Sequence, residues 1–197
     1  MVTATLQTHM STTGHDGDDQ GTQVPEAEHR TPAEALDHAR AAAARVTDPE
    51  MPMLTLVDLG VLRDVTIEDG RVVTTITPTY SGCPAMATMR DDLQRELQDA
   101  GFEGAEVRVS LTPAWTSDWI TEEGRRALKG AGISPPGQAP RKTGPVALTL
   151  MPTKRALTCT LCGSANVKLS SEFGPTACKA MYQCLDCLEP FQHVKEI

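Results

Sequence analysis

Large aromatic side chains are scarce, with two Trp, two Tyr and three Phe among 197 residues, so Val, Leu, Ile, Met and Ala must supply most of the core. Basic residues are in deficit, 18 Lys plus Arg against 26 Asp plus Glu, for a formal charge of −8. That balance argues against holding a polyphosphate backbone, which needs Lys and Arg gathered on one face. No apolar run approaches the ~18 residues of a bilayer crossing, and no basic patch followed by an apolar block marks a secretory signal. The paired Glu-x-x-His motifs of a di-iron bundle and a Gly-x-Gly-x-x-Gly dinucleotide loop are also missing. These absences predict a soluble, cytoplasmic protein of one domain plus a small appendage.

Cysteine is present, and its distribution is uneven. Cys83 stands alone, while Cys159, Cys162, Cys178, Cys184 and Cys187 fall in the last 39 residues. A secreted disulfide framework spreads its thiols through the chain, so this pattern reads as metal ligation plus one separate thiol.

The organisation follows from composition and periodicity. Residues 1–30 are polar and acidic and read as a disordered tail, because they cannot bury enough surface to offset ordering. Thr31-Pro32-Ala33-Glu34 has the form of a capping box, predicting a helix to about Val46 that Asp48-Pro49 halts. Val61–Ile67 and Val72–Pro78 read as strands joined by an Asp69-Gly70 hairpin turn. Met86, Met89, Leu93 and Leu97 recur at helical spacing. Val107–Leu111 reads as another strand and residues 117–129 as a third helix. The fold class is therefore α+β: a small helix and sheet domain over residues 31–130, a linker at 131–145, and a small cysteine-rich β domain at 146–197.

Cys159-Thr-Leu-Cys162-Gly163 and Cys184-Leu-Asp-Cys187 are two thiol pairs, each spaced to aim both sulfurs at one ion. A module of about 50 residues with few large apolar groups needs a staple, and Zn²⁺ in a four-thiolate cage is the leading candidate. An iron–sulfur cluster or redox dithiols remain alternatives. Cys178 reads either as a packed apolar residue or as a participant in metal handling. His193 reads as an exposed side chain rather than a ligand. Residues 151–197 carry a net charge of only +1, which favours a protein partner over nucleic acid.

Cys83 lies in Thr77-Pro78-Thr79-Tyr80-Ser81-Gly82-Cys83-Pro84. With Pro84 in the first helical position, Cys83 sits at or next to the cap, where the helix N-terminus favours thiolate. Asp48, Glu50 and Asp58 occupy a loop that can approach it, and Thr77, Thr79 and Ser81 add hydroxyls. That set can hold Fe²⁺ or one edge of a cluster. The competing reading makes Cys83 a small buried hydrophobe, with Asp48 and Asp58 capping turns. No His in an ordered part of this domain, beyond His38 on the first helix, is available for a catalytic Cys–His pair.

Asp48-Pro49-Glu50-Met51-Pro52, Asp58-Leu59-Gly60 and Tyr80-Ser81-Gly82-Cys83-Pro84-Ala85 resemble the MIP18 family (domain of unknown function 59), which includes iron–sulfur assembly factors. Downstream, Pro113-Ala114-Trp115-Thr116-Ser117-Asp118-Trp119-Ile120, the paired cysteines, and Thr176-Ala177-Cys178-Lys179-Ala180 resemble one subgroup. That subgroup is the PaaD (or PaaJ) family of phenylacetyl-coenzyme A epoxidase systems. The resemblance implies a MIP18-like domain followed by a zinc-ribbon-like domain. It also implies an accessory, non-catalytic role in phenylacetate degradation, assisting assembly of an iron–sulfur or iron centre. Zinc would be structural and iron or a cluster transient cargo. The partners would be epoxidase subunits, including the iron–sulfur reductase. A stoichiometric structural subunit and an iron–sulfur electron-transfer protein are the rival roles.

Overall fold

Thr31 opens the first helix by accepting the Glu34 amide on its side chain, while the Glu34 carboxylate accepts the Thr31 amide. Helix α1, Pro32–Ala43, buries Ala39, Ala42 and Ala43, small residues that let it lie close against the sheet. The computed structural model describes residues 30–139 and 156–197; residues 1–29 of the predicted acidic tail, 140–145 of the predicted linker and 146–155 of the predicted cysteine-rich domain lie outside the described residues.

The first helix ends three residues earlier than its pattern predicts. Val46 leaves it to accept the Leu56 amide and is buried, and that pairing outweighs another turn of helix. Residues expected to form a loop instead make two short antiparallel strands, β1 (Thr47–Asp48) and β2 (Met51–Thr55). Pro52 within β2 is exposed, an edge position where a missing N–H costs nothing.

Strands β3 (Leu62–Glu68) and β4 (Arg71–Ile76) form the predicted hairpin. Its turn residues Asp69 and Gly70 take φ of 49° and 77°, the left-handed pair that matches strand twist. Helix α2 (Met86–Asp99) buries Met89, Leu93 and Leu97 and returns the chain to β5 (Glu106–Val109), which pairs parallel with β4. The predicted third helix divides into a 3-10 turn, Ser117–Trp119, and helix α3, Glu122–Gly130. Extended Ile120 separates them, and Thr121 caps α3 by accepting the Gly124 amide.

Strands β6 (Val167–Ser171), β7 (Lys179–Cys184) and β8 (Pro190–Val194) form an antiparallel meander. Two apolar clusters result. The larger joins α1, α2 and the strands β2 to β4. The smaller consists of Leu157, Cys159, Ala180, Tyr182, Cys184 and Phe191.

Thr31–Ile197 nonetheless forms one compact unit, because β8 serves both clusters: Phe191 enters the smaller, and Val194 the larger. Within the predicted linker, Ile133 and Ser134 are buried. Ser134 donates its amide to Gln192 O and accepts the Val194 amide, tying this stretch to β8. Among the described residues, no helix is long and apolar enough to cross a membrane.

Candidate functional site

The two C-x-x-C segments fold as matched knuckles. In the first, the Cys159 carbonyl accepts the Gly163 amide at 2.9 Å, and Gly163 turns with φ 76°, as its position after the pair predicts. In the second, Leu188 takes φ 66° with no glycine to ease it, so no sequence signal marks that turn. Asp186 joins the knuckles, accepting from Ser164 Oγ at 2.5 Å and from Asn166 Nδ2 at 2.7 Å.

The four sulfurs of Cys159, Cys162, Cys184 and Cys187 lie within 4.8 Å of one another. The Cys159–Cys187 and Cys162–Cys184 separations are both 3.6 Å. A tetrahedral ion with metal–sulfur bonds of ~2.3 Å has sulfur–sulfur edges of ~3.8 Å, so this donor set fits one metal ion. Amides of Cys162 and Leu161 pull the Cys159 thiol down to about 7. The Glu189 amide favours the Cys187 thiolate, yet desolvation and the three neighbouring sulfurs push that thiol up to about 12. Four thiolates this close repel one another, and a cation between them removes the repulsion.

Cys178 lies outside this cage. It is buried, and its sulfur is 3.1 Å from Thr176 Oγ1. Burial raises its thiol pKa, opposed by the Thr176 hydroxyl and the ammonium of Lys179.

The expectation that His193 is exposed is overturned. Its ring is fully buried, because β8 register sets it opposite Ala180, inside the sheet packing. Its Nδ1 lies 3.2 Å from both the Ser134 carbonyl and hydroxyl, and its Nε2 is 3.2 Å from Glu196 Oε1. Burial alone would raise the Glu196 carboxyl, but His193 and the Gly137 amide pull it down to about 2.

Around Cys83 the structure departs from the sequence expectation in two respects. Helix α2 starts at Met86, with Ala85 as a cap that supplies no side-chain bond, so Pro84 precedes the helix and Cys83 is not at its cap. The thiol is half-buried against the larger cluster, and desolvation raises its pKa, opposed by the Ala85 amide and reinforced by Glu50, Cys178 and Asp48. It therefore rests as a thiol rather than a thiolate. Ser81 and Gly82 form a tight turn ahead of it, closed by the Cys83 amide donating to the Tyr80 carbonyl at 3.2 Å.

Glu50 and Asp48 both act electrostatically on Cys83. Asp48 is buried, and its Oδ1 accepts the amides of Glu50 (2.8 Å) and Met51 (2.7 Å), which shapes the β1–β2 turn and sets where Glu50 stands. Thr79 is half-buried in the loop after β4, Thr77 is buried and Ser81 is exposed.

Asp58 is occupied elsewhere. Its Oδ2 accepts the Thr55 amide and hydroxyl, and its Oδ1 accepts the Thr121 hydroxyl at 3.0 Å. Burial would raise its carboxyl, but these bonds lower it overall. What it does is fasten the β2–β3 loop to the start of α3. Tyr80, not singled out in the sequence, shares this neighbourhood: burial and then Cys83, Cys178 and Glu50 raise its phenol.

Two families match the chain in succession. The family described as iron–sulfur cluster assembly protein matches residues 36–114. The PaaD zinc beta ribbon domain matches residues 143–195. A PaaD protein of Escherichia coli (strain K12), provisionally named as a component of 1,2-phenylacetyl-CoA epoxidase, is 41% identical over 155 residues, covering 79% of this chain and 89% of that protein. An Fe-S protein maturation auxiliary factor of Bacillus subtilis (strain 168) is 34% identical over 98 residues, covering 48% of this chain and 95% of its own. A crystal structure of a DUF59 domain from Bacillus anthracis is 27% identical with a TM-score of 0.46, covering 49% of this chain and 93% of that one. With an assembly-type α+β domain, a four-cysteine β ribbon and a relative that spans both, this chain belongs to the PaaD family of phenylacetyl-CoA epoxidase systems.

Proposed function

We propose that this protein is a cytoplasmic accessory factor that assists assembly of an iron–sulfur or iron centre of a multicomponent phenylacetyl-CoA 1,2-epoxidase. It performs no chemistry on phenylacetyl-CoA. The observation that carries this reading is the PaaD relative at 41% identity, whose match runs through the assembly-type domain and the ribbon alike. The iron–sulfur cluster assembly family match, residues 36–114, contains Cys83, and the relatives named as Fe-S protein maturation factors support the same role.

Cys83 is the reactive thiol in this scheme, with iron or a cluster edge as its cargo. Binding requires that its S–H proton leave to solvent as the sulfur takes the metal. The raised pKa keeps the proton in place until cargo arrives, so the empty site stays unreactive towards stray electrophiles. Glu50 and Asp48 add negative charge beside an incoming cation, Thr79 belongs to the same loop, and Asp58 acts by positioning. The ribbon ion is Zn²⁺, which suits a closed, tetrahedral, four-thiolate cage with no open position. Its sulfurs sit too close together to straddle several irons, which disfavours an electron-transfer cluster in the ribbon. The partners are epoxidase subunits, the iron–sulfur reductase among them.

The test is Cys83→Ser in cells expressing the epoxidase components. The variant is expected to keep its zinc while the reductase's iron content and epoxidase turnover fall together. Unchanged cluster content and turnover refute the reading. A chain that co-elutes one-to-one with the oxygenase regardless of residue 83 is a structural subunit instead.

A further inference from the structure

The four ribbon sulfurs share a ligand role but differ in exposure. Cys159 and Cys184 are buried, whereas Cys162 and Cys187 face solvent. The two 3.6 Å contacts each join one knuckle to the other, and each sets an exposed cysteine against a buried one: Cys162 against Cys184, and Cys187 against Cys159. Sequence spacing couples the sulfurs the other way, within each C-x-x-C. An oxidant arriving from water meets Cys162 or Cys187 first, because reactivity follows thiolate character and access. The sulfur in contact with either one belongs to the opposite knuckle.

We infer that the ribbon is a reversible modification site for hydrogen peroxide, at which the cross-knuckle disulfides Cys162–Cys184 and Cys159–Cys187 take the place of the bound ion. This rests on the ribbon holding zinc as proposed and is independent of the role of Cys83. In the first step the exposed thiolate attacks peroxide. An S–O bond forms, the O–O bond breaks and hydroxide leaves, so that sulfur loses two electrons and becomes a sulfenic acid. The buried thiolate of the opposite knuckle then attacks that sulfur and expels a second hydroxide as the disulfide forms. Two protons from solvent turn the hydroxides into water, and no electron passes to or from the zinc. Bond formation needs each pair to close from 3.6 Å to ~2.05 Å. A disulfide sulfur offers no thiolate charge to a metal, so the first bond halves the donor set and releases the ion.

A sulfenic acid with no partner goes on to sulfinic and sulfonic acids, which thiols do not reverse. Holding a buried thiolate against each exposed one captures the sulfenic acid before that happens. The same bond leaves the two knuckles joined, so a reductant and a fresh ion restore the cage.

The experiment uses the full-length chain, its zinc counted as purified, and one equivalent of hydrogen peroxide per chain under anaerobic conditions. Released zinc is read with a chromogenic indicator, remaining thiols are alkylated at early times, and disulfides are mapped without reduction. One zinc is expected to be lost per first disulfide formed, with Cys162–Cys184 and Cys159–Cys187 predominating. Dithiothreitol with Zn²⁺ should then return the original zinc content. In a parallel sample the sulfenic-acid trap dimedone should label Cys162 and Cys187. First disulfides that fall within a knuckle, or that involve Cys83 or Cys178, overturn the inference, as does label on Cys159 or Cys184. Zinc that stays bound, or a loss that the reductant does not reverse, overturns it too. A chain that holds no zinc as purified overturns the zinc reading before peroxide is added, and the inference with it.

Discussion

Stripping the ribbon ion should unfold one half of this protein and leave the other standing. The smaller cluster has six members, of which two, Cys159 and Cys184, are themselves ligands. Of the other four, Ala180 is small. Burying Leu157, Tyr182 and Phe191 at ~1.5–3 kcal/mol each contributes less than about 9 kcal/mol. A structural zinc contributes ~10–16 kcal/mol of apparent folding free energy, more than those three side chains together. The larger cluster contains none of the four ligands.

Hydrogen exchange read by mass spectrometry separates the two halves. After removal of the ion by a strong chelator, amides of β6, β7 and β8 are expected to exchange at close to unfolded rates. Amides of α2 and the β3–β4 hairpin should keep their protection. Residues 117 and 134, tied to the C-terminal segment by hydrogen bonds, should loosen with the ribbon. A metal-free chain with β6–β8 as protected as in the loaded protein would refute this account of what holds the ribbon together.

Other predictions concern single residues. At Gly60, φ is +66° and an added Cβ meets Trp119 Cβ at 2.6 Å and Trp119 O at 2.8 Å. Left-handed strain of ~1–2 kcal/mol together with overpacking of ~1–3 kcal/mol should make Gly60→Ala destabilising by about 2–5 kcal/mol, read by denaturant unfolding of the zinc-loaded chain. Glu196 is held near a pKa of about 2 against an ordinary 4.5. A depressed carboxyl stabilises the fold fully above its unfolded pKa, so this contribution should be intact at neutral pH and lost as pH falls from about 4.5 towards 2. Allowing for solvent screening, Glu196→Gln should cost ~1–2 kcal/mol at pH 7 and flatten the acid limb of stability in that window. A parallel acid limb in wild type and variant would show that the His193–Glu196 contact is energetically idle.

What can be read from the sequence, and what cannot, divides along physical lines. The Thr31–Glu34 capping box, the Asp69-Gly70 turn and the paired cysteines are local signals, and each describes its structure well because the determinants lie within a few residues. The β1–β2 ribbon escapes because its strands are short, interrupted by Pro49 and Pro52, and fixed by distant pairing such as Leu56 to Val46. His193 misleads for a similar reason. A polar residue near a terminus looks solvated until Ser134, 59 residues earlier, is found beside its ring. The proline after Cys83 suggests a helix cap there. No polar side chain at Cys83, Pro84 or Ala85 caps the helix, and its start is set by where Ala85 and Met89 pack. At the candidate site the residue types are legible, but which carboxylates serve the thiol is not. Asp58 carries the same chemistry as Asp48, and only tertiary contacts assign it to Thr121.

Strand β8 has a consequence for anyone who would cut this protein in two. Phe191 and Val194, three residues apart, anchor in different interiors. Severing the chain ahead of the ribbon therefore leaves the amino-terminal piece with a vacant apolar socket where Val194 had been, and leaves the Ser117 amide without the Ile197 carbonyl it binds at 3.0 Å. The boundary drawn from composition, at the stretch rich in proline and glycine, is consequently not a mechanical boundary. The halves share a beam, and neither retains its native surface once that beam is removed.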